Sequence, residues 1–344
     1  MIASKLPYGE DRMRTQDAVR GSAAARRVEA LWRRAKRGER RPSTGPDRTL
    51  DRIALNTLGV ATEELREVLA RFESVDDLLA WSEARVGGRD LEALTRFDAA
   101  LAGAPPPPAV RQRIEATDAA PPALDEDQLR GFAEDGYVIV PAVIAPAQTR
   151  AAADAVWRAV GADPDDPGTW RLTDHGIMVQ LFHDPALTPG RTSPRLRKAF
   201  AQLWGTADLW TSLDRVSFNP PVRPGVEFPG PRLHWDISLV PPVAFQLQGM
   251  IYLTDTTAEQ GAFEVVPGFH RGIDAWLQGL PEEVDPRRTD LSAGAWRIAA
   301  NAGDLIIWQS ALPHGASPNT GDRPRLAQYV TQYPAGLHLA DRRR

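Results

Sequence analysis

No cysteine occurs in the 344 residues, which excludes disulfides, thiolate zinc sites, iron–sulfur clusters and cysteine nucleophiles; any metal must rest on imidazole and carboxylate. Nor does any run approach the roughly 18 consecutive apolar residues that span a bilayer. The start, Met1–Asp11, lacks the apolar stretch of a secretory signal, so the expected setting is cytoplasmic, without a membrane partner. Lysine is almost missing, with three against 38 arginines, a bias of codon usage that excludes no function. Histidine is sparse at six residues, so each one can be weighed singly.

What is present is ordinary globular material: 42% apolar and 25% charged residues, which rules against a disordered or fibrous chain. The net charge of −4 hides an asymmetry. Residues 1–60 carry 14 Lys and Arg against 7 Asp and Glu, and the rest of the chain carries 27 against 38. The basic excess is read first as a solvated, Arg-rich helix, Arg26–Arg41, and second as a docking surface for nucleic acid or an acidic partner. No nucleic-acid fold signature accompanies it, so no nucleic-acid partner is expected.

Apolar residues recurring at three and four predict helices over Ala18–Arg37, Leu50–Leu58, Thr62–Phe72, Val75–Val86 and Leu91–Leu101, with Thr62, Ser74 and Asp90 at capping positions. Residues 1–104 thus read as a helical module. Pro105–Pro108 cannot continue a helix, and 105–123 is expected to be an extended linker. A short helix Leu124–Phe132, a strand Tyr137–Val140 and a helix Pro146–Val160 follow. The remainder changes to short β-branched and aromatic runs: Ile177–Phe182, Leu213–Asn219, Arg232–Ile237, Phe245–Thr254, Ala262–Pro267, Trp296–Ala299, Asp304–Gln309 and Arg325–Tyr333. Helices do not alternate with these runs, so residues 124–344 are expected to be mainly β, a double-stranded β-helix of the jelly-roll or cupin type.

Within that region His234-Trp235-Asp236 sets an imidazole and a carboxylate two apart, on one face of a strand, where a single ion can touch both. His314 comes eighty residues later, after the strand Asp304–Gln309 and its turn, where a jelly roll can bring the chain back. Two imidazoles and one carboxylate on one face of an octahedral ion leave open positions, which suits non-haem iron(II). Arg325 follows His314 by eleven residues and begins the last strand, where its fork can clamp a carboxylate in a barrel mouth; the alternative is a surface arginine.

From Leu124 to about residue 334 the chain resembles the phytanoyl-CoA dioxygenase family. The resemblance rests on Leu124-Asp125-Glu126-Asp127-Gln128-Leu129 with Phe132, then Asp135-Gly136-Tyr137-Val138-Ile139-Val140-Pro141. It continues with His234-Trp235-Asp236, Leu253-Thr254-Asp255-Thr256-Thr257, Gly261-Ala262-Phe263 and Val266-Pro267-Gly268-Phe269-His270-Arg271. Gly303-Asp304, Pro313-His314-Gly315, Asn319 and Pro324-Arg325 close it.

The resemblance implies an iron(II)- and 2-oxoglutarate-dependent oxygenase using O2, with hydroxylation of an aliphatic carbon of a small molecule, such as a secondary metabolite, as the default outcome. His234, Asp236 and His314 would hold the metal, and Arg325 would pair with the distal carboxylate of 2-oxoglutarate. Asn219 falls where relatives put an amide on the cosubstrate's metal end, and Tyr252 where they carry a cosubstrate-facing aromatic, with a plain core tyrosine as the alternative. Relatives often place Ser two residues after the distal His; here Ala316 stands there and Ser317 next. Asp236 is the carboxylate that halogenating relatives lack, so no halogenation is implied.

On the substrate side, Gln246 and Gln248 share a strand face by period two, Arg215 shares the strand of Asn219, and His183 flanks a strand ahead of the doublet. His270, in a Pro-Gly-Phe-His turn, reads as a structural hydrogen-bonding residue, His175 as an exposed loop residue, and His338 is assigned nothing. Trp235 should turn away from its neighbours into the core. Two other uses of the pattern stay open at this level: a cupin-like metal-dependent hydrolase or isomerase with the same triad, and a non-catalytic jelly-roll binding module. For residues 1–104 the roles open are covering the barrel mouth, a homodimer interface and docking of a carrier protein.

Overall fold

The computed structural model describes residues 19–39, 46–86, 91–224, 228–230 and 233–334. The chain divides into two compact units, one up to Ala116 and the other Thr117–Pro334. Among the described residues no helix is long and apolar enough to cross a membrane.

The first unit is helical: α1 Ala23–Lys36, α2 Pro46–Thr57, α3 Leu65–Arg71, α4 Val75–Val86 and α5 Leu91–Ala102. Ser22 caps α1 by accepting from the Ala25 amide at 3.1 Å, and Ser74 does the same for α4 through the Asp77 amide. Thr62 does not cap; α3 starts at Leu65 after Glu64, which makes no side-chain cap bond. Asp90 lies outside the described residues. Val28, Ile53, Leu55, Leu58, Leu78 and Phe97 form the buried side of these helices. The basic face of α1 is largely neutralised locally: Arg33 pairs with Glu29, Arg37 with Glu39, and Arg27 reaches Asp51 at 2.5 Å. The expected extended linker is in large part a helix, α6 Pro108–Ala119. Pro108 occupies the first helical position, whose amide would be unpaired in any case, so the proline run ends by starting a helix.

The second unit opens with α7 Glu126–Asp135, whose cap Asp125 exchanges hydrogen bonds with Gln128 in a capping box. Gly136 ends it in the left-handed region at φ 81° and turns the chain into β1 Tyr137–Val140. Then come α8 Pro146–Val160, β2 Met178–Val179, α9 Thr188–Thr192, α10 Pro194–Trp204, β3 Leu209–Thr211, β4 Val216–Asn219, β5 Leu247–Tyr252 and β6 Phe263–Val265. The chain continues through α11 Ile273–Gly279, β7 Trp296–Ile298, β8 Leu305–Gln309, β9 His314–Ala316, β10 Arg325–Tyr329 and β11 Gln332–Pro334.

The strands make antiparallel sheets: a six-stranded one in the order β1-β8-β5-β10-β4-β2, a three-stranded one β7-β6-β9, and a pair β11-β3. Register decides which side chains share a face. Trp308, Gln248 and, one row on, Ile306, Met250 and Tyr329 line up across β8, β5 and β10; Ala327 stands opposite Tyr252 and Ser217, and Arg325 opposite Asn219. On this face Met250, Tyr252, Ile306, Trp308 and Ala327 pack with Phe263, Val265 and Ile298 of the three-stranded sheet. The other face is covered by helices, with Trp157 of α8 edge-on to Phe218 at 5.3 Å.

Three expected strands differ. Ile177–Phe182 contracts to the two residues of β2, and Arg325–Tyr333 breaks into β10 and β11, which pair in different sheets. Around the doublet no strand forms among the described residues; His234 makes only an isolated bridge to His314.

Candidate metal centre

His314 stands on β9, buried, and the bridge to His234 is closed by two backbone hydrogen bonds of 2.9 and 3.1 Å. This bridge does for the doublet what a regular strand was expected to do. Trp235 turns the opposite way, donates its indole N–H to the Ala311 carbonyl at 2.9 Å and packs on Trp276 and Phe269. His234 and Asp236 are thereby left on the same side, facing the third residue. One ligand atom from each of His234, Asp236 and His314 lies within 4.8 Å of the others. Nε2 of His234 is 3.4 Å from Oδ1 of Asp236, and Nε2 of His314 is 3.3 Å from Oδ2.

Tautomers test whether these groups suit a cation. The His314 Nδ1 sits 2.9 Å from the Leu312 carbonyl, so Nδ1 carries the proton and donates it there. In the neutral ring Nε2 then points a lone pair at the Asp236 carboxylate, two acceptors face to face. Positive charge relieves this, whether a proton on Nε2, which makes the imidazole a charged donor to the carboxylate, or a metal ion, and a fixed Nδ1–H donor is the usual partner of a metal-bound imidazole. Burial pushes the Asp236 carboxyl up, but the two adjacent imidazoles outweigh it and hold the group well below the usual carboxylate range. Asp236 therefore stays ionised, as a ligand must, although half of its side-chain surface is open.

Asp236 has a further tether. Gln248 on β5 donates its amide N–H to Oδ2 at 2.9 Å, and its own carbonyl accepts the Trp308 indole N–H at 3.1 Å. Gln248 was expected on the substrate side; the structure instead uses both ends of its amide to hold the carboxylate.

On the same sheet face as Gln248 and Met250 lies Arg325, which is fully buried. Nε donates to the Gly261 carbonyl at 3.0 Å and Nη1 to the Ser217 hydroxyl at 2.6 Å, with the Met250 sulfur 3.9 Å away. Among the described residues no carboxylate lies within ion-pair distance of it. A buried charge without a counter-charge costs several kcal/mol, so this guanidinium fits an anionic ligand. Gly261 has to be glycine: its φ is +64°, and a Cβ there would run into the Asn219 amide.

Asn219, Tyr252 and Ser317 stand around Arg325 and hydrogen-bond to neighbouring backbone. The Asn219 amide donates to the carbonyls of Gly261 and Ser317 at 3.2 and 3.1 Å. The Tyr252 hydroxyl donates to Ile298 and accepts from the Phe263 amide, joining β5 to both neighbouring strands of the smaller sheet, and burial pushes its pKa up to about 12. The Ser317 hydroxyl donates to the Ala262 carbonyl. The resemblance implied a cosubstrate role for these three; the structure shows each of them also bracing the backbone around Arg325.

Arg215 stands half-buried just ahead of β4, two residues from Ser217; its carbonyl accepts from the Tyr329 amide at 3.2 Å, and its side chain makes no hydrogen bond or ion pair among the described residues. Gln246 is exposed on the loop before β5, and His183 is exposed beside Phe182. His270 bonds the Ala133 carbonyl, the structural part expected of it, and burial lowers its pKa. His338 lies outside the described residues. Ser217 and Met250 were missed as companions of Arg325, though the period-two spacing from Asn219 and Tyr252 points to them. Gln248's tether to Asp236 had no signal in the sequence.

The chain is similar to several known proteins. A Dictyostelium discoideum protein whose name places it with the phytanoyl-CoA dioxygenases is 24% identical over 221 residues, covering 50% of this chain and 63% of its own length, so the match spans less than two thirds of that relative. "Ava biosynthesis cluster protein O" of Aspergillus versicolor is 22% identical over 257 residues, 66% of this chain and 83% of its own. The crystal structure of the non-heme alpha ketoglutarate dependent epimerase SnoN from nogalamycin biosynthesis aligns with 19% identity over 61% of this chain and 82% of that one, at a TM-score of 0.47. The profile of the phytanoyl-CoA dioxygenase (PhyH) family matches residues 132–327, more than half of the chain, from within α7 to within β10 and including the triad and Arg325, and the chain belongs to that family.

Proposed function

We propose that this protein is an iron(II)- and 2-oxoglutarate-dependent dioxygenase that hydroxylates an aliphatic carbon of a small molecule, in a cavity between the sheets of a double-stranded β-helix. The observation that carries this reading is the pairing of two unlike sites on one sheet face. Gln248 and Met250 are next-but-one neighbours on β5; the first holds Asp236 and the second touches Arg325. Two strand steps amount to about 7 Å, a span that suits a short dicarboxylate reaching from metal to guanidinium.

His234, Asp236 and His314 would hold iron(II), and Arg325 would take the far carboxylate of 2-oxoglutarate in a bidentate fork. Bound iron would supply the oxygen chemistry, coupling loss of CO2 from 2-oxoglutarate to oxidation of a substrate C–H bond. The chain's part is to bind and orient. The Leu312 carbonyl keeps the His314 proton on Nδ1, Gln248 keeps Oδ2 of Asp236 in place, and the covered inner face around Tyr252, Phe263 and Trp308 excludes water from the cosubstrate. A metal-dependent hydrolase or isomerase would use the triad but leave the buried Arg325 without a counter-charge, which disfavours that alternative.

Once Arg325 is matched by 2-oxoglutarate, Arg215 remains as a half-buried cation two residues from Ser217, and this supports a substrate carrying an acidic group. Oxygen consumption and succinate formation by the full chain, on adding iron(II) and 2-oxoglutarate, test the assignment. Both are expected to need both additions and to vanish in Asp236→Ala; succinate formation persisting in that variant contradicts it.

A further inference from the structure

We propose that Arg287, far from the triad in sequence, is a positioning residue for the metal centre: its guanidinium grips the backbone on both sides of Asp236 and so sets the affinity for the metal. The inference rests on the metal-site reading above. Among the described residues the stretch that bears His234 and Asp236 forms no regular strand, and its backbone pairing is the bridge at His234. Downstream of that bridge something else must hold the carbonyls. Arg287 does so, donating from Nη1 to the Trp235 carbonyl at 2.6 Å and from Nη2 to the Ile237 carbonyl at 2.5 Å.

These carbonyls belong to the residues immediately before and after Asp236. One planar fork on both restrains the rotation of the peptides that aim the Asp236 carboxylate. Arginine's rigid geometry matters for this, because a lysine ammonium on a flexible stem does not hold two acceptors in a fixed relation. Arg287 sits in a one-turn 3-10 helix, Pro286–Arg288, that is itself anchored where the Asp285 carboxylate accepts the Arg287 amide N–H at 3.0 Å. Trp235, Gln248 and Arg287 then constrain the doublet from three directions: indole into the core, amide onto the carboxylate, guanidinium onto the main chain.

Cobalt(II) titration of the metal-stripped full chain, read by visible absorbance, tests this alongside the melting temperature of the metal-free protein. Groups that orient metal ligands from outside the coordination shell are worth about 10- to 100-fold in affinity. Arg287→Ala is expected to weaken cobalt binding by at least about tenfold with the metal-free melting temperature held, and Arg287→Lys to recover only part of the loss. Wild-type affinity in Arg287→Ala overturns the proposal, as does an affinity loss in both variants that merely follows a matching fall in metal-free stability. Failure of the wild-type chain to bind cobalt at all overturns the metal-site reading itself.

Discussion

The surroundings of Arg325 and the metal centre are built by different means. At the Arg325 end the arginine and two of its neighbours sit in regular sheet, Arg325 opposite Asn219 in the register of β10 and β4 and Tyr252 on β5, all three buried, while Gly261 and Ser317 stand just outside the strands. At the metal end only His314 belongs to a strand, while His234 and Asp236 lie on an irregular stretch held by one bridge, one indole, one amide and one guanidinium. The first end is kept by backbone register, which a single surface change cannot disturb. The second is kept by side chains reaching over long sequence distances, each of which can be removed singly. Loss of a brace at the Arg325 end should therefore cost folding stability, and loss of a tether at the metal end should cost metal affinity.

Gly261→Ala should separate the ends most sharply. A Cβ at φ +64° carries a penalty of about 1–2 kcal/mol, and here it must also displace the Asn219 amide. We expect lower stability and weaker 2-oxoglutarate binding with cobalt affinity nearly unchanged, as measured by thermal unfolding and the two titrations; an equal loss of metal affinity would merge the two ends into one unit.

Tyr252→Phe should cost about 1–3 kcal/mol of stability by leaving the Ile298 carbonyl and Phe263 amide unpaired. The pH dependence has a definite sign. Burial, partly offset by the Arg325 charge, raises the phenol from 10 to about 12, so its stabilising share is full below pH 10 and is lost as pH rises through about 12. Denaturant melts of wild type and variant should differ by a constant amount up to pH 10 and converge above it; divergence in the alkaline range would mean the hydroxyl is not the brace described.

The smallest change is expected at the metal end. Gln248→Leu removes one hydrogen bond to Asp236 and one from Trp308 while keeping the side chain's bulk, and should weaken metal binding by about tenfold with little effect on 2-oxoglutarate affinity at saturating metal. Unaltered metal affinity would show that the carboxylate does not depend on its tether.

The same contrast explains what could be read from the sequence. The β5 face of Gln248, Met250 and Tyr252 follows from period two, and the strand Tyr137–Val140 and helices Val75–Val86 and Pro146–Val160 match at both ends, because local patterns specify them. That His234, Asp236 and His314 come together was legible from the His-x-Asp spacing and the family resemblance. What was not legible arises between distant segments: the transfer of the last strand to a second sheet with Leu209–Thr211, the bridge that stands in for a strand at His234, and the donors Gln248 and Arg287 that converge on Asp236. Pro108 misled in the other direction, since a proline that ends one pattern can open the next.

Calorimetric titration of 2-oxoglutarate into the full chain, without oxygen and with or without divalent metal, tests the central claim most directly. If one cavity joins the triad to the buried Arg325, binding requires the metal, and Arg325→Gln loses about 3–5 kcal/mol, more than 100-fold in affinity. Binding that is indifferent to the metal, or that survives Arg325→Gln intact, would contradict it.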